Sequence, residues 1–96
     1  MADTTITTKQ YNGSYAYTRE ITSGDVSNGG IVIDFNVDVM LTGVVQWKAS
    51  TGAIKAPTGM IVSSPANGQI RLEDGSVTWV AGDFLTVIAN VDRAVE

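Results

Sequence analysis

The sequence contains no cysteine and no histidine in its 96 residues. Without cysteine there is no disulfide framework, no zinc-thiolate site and no thiol nucleophile. Without histidine the chain lacks the commonest general base and the commonest metal ligand. Basic residues are scarce as well: Lys9, Arg19, Lys48, Lys55, Arg71 and Arg93 stand singly against ten acids, for a net charge of −4. Scattered bases cannot neutralise a run of phosphates, so the sequence predicts no nucleic acid partner. They form no polybasic membrane patch either. No apolar run approaches the ~20 residues of a membrane helix. Residues 1–10 are polar and Thr-rich with no apolar core, so no signal peptide is expected. These absences point to a protein made in a cytoplasm.

What the sequence has is alternation. From residue 31 to 41, Ile31, Ile33, Phe35, Val37, Val39 and Leu41 fall on one face of a period-two pattern. Asp34, Asn36 and Asp38 fall on the other. Such a pattern predicts one central strand with a core face and a polar face. Further strands are expected over residues 14–22, 44–48, 60–62, 69–73, 76–80 and 84–91. Asp74-Gly75 carries the two-residue signature of a type I′ hairpin, which would set Leu72 opposite Val77 and Ile70 opposite Trp79. Thr42-Gly43 reads as a bulge or bend. Residues 23–30 read as a flexible loop, and no window has helical periodicity over three turns.

Together these features predict an all-β fold, a small antiparallel sandwich or barrel of about 6–8 short strands. Residues 1–13 form a polar N-terminal arm, residues 14–92 a single domain and residues 93–96 a short tail. The expected core is Phe35, Val37, Val39, Trp47, Leu72, Trp79, Leu85 and Val87. A tryptophan in such a strand is expected to be core, with its indole N–H satisfied at the margin.

Candidate chemistry is thin. Asp34-x-Asn36-x-Asp38 has the opening spacing of a calcium loop, but Val39 stands where that loop needs glycine and no glutamate closes it. No serine or threonine has a recognisable activating base. Glycine pairs such as Gly29-Gly30 lack the lysine of a phosphate loop. The sequence therefore predicts no catalytic residue, no metal and no cofactor. The expected interface residues lie near one end: Thr4, Ile6 and Thr8 on one face of a strand that could add to a neighbour, with Tyr11, Tyr15 and Tyr17 beside them.

The segments VVQWKASTG and GSVTWVAGDFLTVIANVD, in a cysteine-free acidic β domain with a polar arm, resemble the small virion proteins of tailed bacteriophages. They look most like capsid decoration or cement proteins. That resemblance implies a homo-oligomer, dimer or trimer, bound to the major capsid protein in the virion after synthesis in the host cytoplasm. It implies no catalysis and no cofactor. Two other expectations stand beside it. One is a phage tail, fibre or receptor-binding adhesive module. The other is a small-ligand binder or enzyme using the Asp34, Asn36 and Asp38 face, for which so small a domain has little room.

Overall fold

The structure, a computed structural model, describes residues 4–7 and 15–91, and of Thr4 and Thr7 the backbone alone. Eight strands and one short helix follow in order: β1 (Thr4–Thr7), β2 (Tyr15–Glu20), α1 (Ser23–Asn28), β3 (Gly30–Asp34), β4 (Leu41–Lys48), β5 (Ile54–Lys55), β6 (Ile61–Ser63), β7 (Gln69–Glu73) and β8 (Phe84–Val91). They build two four-stranded sheets, β1-β3-β7-β6 and β2-β8-β4-β5. The fold is all-β, and of the antiparallel sandwich or barrel expected from the sequence it is the sandwich, with one parallel pair, β1 with β3.

Inward side chains of both sheets make one core. Ile31, Ile33, Ile70 and Leu72 come from the first sheet; Leu41, Trp47, Leu85, Val87 and Ala89 come from the second. Phe35 and Trp79 fill the space between them, and Tyr15 lies with its ring centroid 5.6 Å from that of Phe35. Six of the eight expected core residues are buried, Val37 is half-buried, and Val39 is exposed.

The exposure of Val39 follows from a larger correction. Residues 31–41 are not one strand. β3 ends at Asp34, whose carboxylate accepts the Asn36 N–H at 2.8 Å. Asn36 sits at φ 59, the left-handed region that asparagine tolerates. Phe35 N–H then donates to the Gly68 carbonyl, and Gly68 N–H donates to that of Val39. The segment is thus the crossing from one sheet to the other, held by a turn on the first. Gly68 is at φ 74, and a Cβ there would collide with the Val37 backbone.

Three other expectations change. The type I′ turn centred on Asp74-Gly75 does not form: Asp74 is not at positive φ, and the bonded turn lies one residue further on, with Val77 N–H donating to Asp74 C=O and Gly75 at φ 57. No hairpin follows it: Ser76 N–H bonds to the Gly59 carbonyl. The expected facing pairs are replaced accordingly, with Leu72 between Ile31 and Val62 and Ile70 opposite Ile33. β4 has no bulge at Thr42-Gly43; it pairs with β8 in unbroken register from Leu41 to Lys48. Residues 23–28 form α1, where Thr22 accepts the Asp25 N–H and Asp25 accepts the Thr22 N–H, a reciprocal capping box.

Candidate functional site

Among the described residues two carboxylates are buried, and each has its partners in the fold. Asp25 receives Arg19 through two bonds, Nε to Oδ2 at 3.0 Å and Nη2 to Oδ1 at 2.9 Å, besides the Thr22 N–H. Burial pushes its pKa up, but Arg19 and the Thr22 N–H outweigh that and hold it below the ordinary value. Asp83 accepts the Trp47 indole N–H at 3.0 Å, the Ser50 N–H at 3.2 Å and Lys55 Nζ at 3.3 Å. Burial again pulls upward and these donors win, so its pKa is also lowered. A carboxylate held ionised by fixed donors is a poor general acid. Both groups read as tethers: Asp25 ties α1 to β2, and Asp83 ties the start of β8 to β4 and β5.

Lys55 Nζ also stands 4.7 Å from the Trp47 ring centroid, a cation–π contact. Trp47 therefore has its N–H satisfied as expected. The Trp79 N–H differs: it is buried with no partner among the described residues.

The Asp34, Asn36 and Asp38 face does not exist as a face. Asp34 turns back to the Asn36 N–H, while Asp38 accepts from the Asn67 side chain at 3.1 Å. Among the described residues no group of three or more His, Cys, Asp and Glu is placed to hold a metal.

The expected interface residues scatter. Thr4 and Ile6 lie in β1, which pairs in parallel with β3 of its own sheet, Thr4 opposite Ile31 and Ile6 opposite Ile33. Ile6 packs against the core. The strand addition expected of this segment is made within the molecule. Tyr15 is spent in the core, 7 % exposed. Tyr17 is half-buried on the same inward face of β2, an edge strand of its sheet. Thr8 and Tyr11 lie outside the described residues.

What sequence reading missed is the far edge of the second sheet. β5 covers only Trp47 and Lys48 of β4, leaving the side of its Leu41–Gln46 stretch away from β8 with no strand beside it among the described residues. Next to it lies an open groove of about 440 Å³, lined by Val45, Gln46, Trp47, Lys55 and Pro57 among others. Of the six exposed large apolar residues among the described ones, Val39, Met40, Val44 and Ile54 lie on β4, on β5 or in the two residues before β4. No sequence signal marked this edge, because an edge is defined by which strands fail to pair.

No protein-family model, curated protein or solved structure matches the chain. The functional reading therefore stands on the molecule itself.

Proposed function

We propose that this protein is a non-enzymatic structural subunit of a phage virion, a decoration or cement protein that self-associates and attaches to the capsid. One observation carries the assembly part of that reading. The buried carboxylates are satisfied by fixed partners, whereas the β4 edge offers backbone groups and apolar side chains that no strand takes up among the described residues. An uncovered strand edge is a pairing surface unless charge or proline blunts it. The virion part rests on the resemblance of the segments around Trp47 and Trp79.

The test is co-sedimentation of the purified protein with separated heads and tails of the phage that carries its gene. The proposal expects saturable binding to heads. Binding to tails instead would favour the tail or fibre reading, and indifference to every virion component would overturn the proposal.

A further inference from the structure

We propose that a second copy of this chain covers the open edge of β4, pairing antiparallel about a two-fold axis through Gly43. The proposal deepens the reading above and rests on it for the premise that the chain is an assembly subunit.

The ladder itself fixes which groups are free. In an antiparallel pair a strand bonds through alternate residues to its two sides. Ala49 N–H donates to Ala53 C=O on the β5 side. The odd residues of β4 therefore point their backbone toward β5, and the even ones toward β8. On β8 the phase agrees, because Asp83 C=O accepts from Ile21 on the β2 side. So Leu41, Gly43 and Val45 present N–H and C=O groups to the open side. Leu41 and Val45 face the core with their side chains and Gly43 lies on the same face, since Leu41 and Trp47 are buried and Thr42, Val44 and Gln46 are exposed.

A closed dimer through one strand requires a two-fold axis, and a two-fold perpendicular to a sheet makes the pairing antiparallel. Opposite residues must also share a face, so an odd residue meets an odd residue. Centring on Val44 would set Leu41 against Trp47, which already pairs with Lys55. Centring on Thr42 would set Val45 against Val39, which is outside β4 and whose carbonyl already accepts from Gly68. Centring on Gly43 sets Leu41 opposite Val45 and Gly43 opposite itself. Every free N–H and C=O of the three residues then finds a partner in both copies.

The surroundings match this register. The stretch Leu41-Thr42-Gly43-Val44-Val45-Gln46 holds no charge and no proline, whereas the opposite edge strand β2 carries Arg19 and Glu20. The pairing sets exposed Met40 of one copy opposite Gln46 of the other, at the mouth of the groove beside Trp47, Lys55 and Pro57. Methionine is a flexible apolar side chain suited to filling such a gap. The two-fold repeats this contact, so both grooves are occupied. Ile54, at 78 % the most exposed large apolar residue among those described, lies beside this seam on each copy.

The test uses the full chain, whose lack of cysteine gives a clean background for cross-linking. Thr42 and Val44 of opposite copies would be a non-hydrogen-bonded pair with Cα atoms about 4.5 Å apart, inside the range of a disulfide. The double variant Thr42→Cys/Val44→Cys, treated with the thiol oxidant diamide, should become a covalent dimer. Each single variant should cross-link far less. Efficient cross-linking of Val44→Cys alone, or none in the double variant, would overturn the register. A second readout is sedimentation velocity at rising concentration. Val44→Lys changes an exposed side chain and brings two like charges together, so it should weaken self-association about tenfold or more with no change in melting temperature. Self-association unaffected by Val44→Lys, or a wild-type chain that stays monomeric, would overturn the β4 dimer. Retained binding to phage heads in that case would leave the subunit reading standing, and loss of head binding alone would remove that reading and leave the dimer.

Discussion

Arg19 and Asp25 meet in a two-pronged ion pair with Asp25 1 % exposed, and the same carboxylate caps α1. One side chain therefore holds the helix start and fastens it to β2. Replacing Asp25 by Ala leaves the guanidinium and the Thr22 N–H without their acceptor. Breaking a buried pair in this way costs about 3 kcal/mol or more. Urea unfolding of Asp25→Ala should show that loss with the slope unchanged, and a loss under ~1 kcal/mol would show that the pair carries little.

Acid should destabilise the protein through Asp25 and Asp83. Both pKa values are lowered in the folded state from an ordinary 3.8. A group whose folded pKa is depressed adds stability above its unfolded pKa, and that stability is lost as pH falls through the folded value. Stability should thus be level near neutrality and begin to fall as pH drops toward about 4. The Asp83→Asn variant should show a shallower acid slope than the wild type when both are unfolded by urea across that range.

Gly75 combines a positive φ with a tight neighbour, since a Cβ there would strike the Gly59 carbonyl. That carbonyl also accepts the Ser76 N–H, so displacing it loosens the link between the two loops. Gly75→Val should cost about 2 kcal/mol or more. A melting temperature equal to wild type would show that the turn is free to change shape.

Deleting residues 1–7 should destabilise the domain. β1 pairs with β3 along Thr4–Thr7, and Ile6 packs on the core. Removal strips one side of β3 and uncovers part of Ile31 and Ile33. A drop in melting temperature is expected, and an unchanged one would show that β1 adds nothing.

The sequence was most legible where one strand carries one pattern. β8 spans residues 84–91 as read, with Leu85, Val87 and Ala89 inward, because alternation and a flanking turn fix a strand independently of its neighbours. It misled where alternation continues through a change of sheet. Phe35 and Leu41 are both core residues, but of a crossing segment and of the next strand, and period two cannot tell a bend from a straight run. The Asp34 and Asn36 side-chain chemistry that makes the bend was present in the sequence and was read as a strand face. The Thr22-x-x-Asp25 cap was equally present, for a helix too short to show periodicity. Gly43 was read as a bulge, whereas its Cβ position lies 3.2 Å from the Ile88 carbonyl and 3.5 Å from the Ile70 side chain. The tight neighbour is β8 of the same sheet, and the Ile70 side chain of the other sheet lies at ordinary contact distance, a long-range arrangement that no local pattern encodes. The candidate assembly surface was illegible for the same reason: it exists because β5 is short.

The account's central claim is that the β4 edge is free in the single chain and is filled by its own copy. Residue-resolved amide hydrogen exchange, run at low and high protein concentration, tests it most directly. In dilute solution the N–H groups of Thr42, Val44 and Gln46 should be slow, bonded to β8, and those of Leu41, Gly43 and Val45 fast. At high concentration the three fast amides should become slow together, while the other three hold their rates. If Leu41, Gly43 and Val45 exchange at concentration-independent rates, the claim is contradicted.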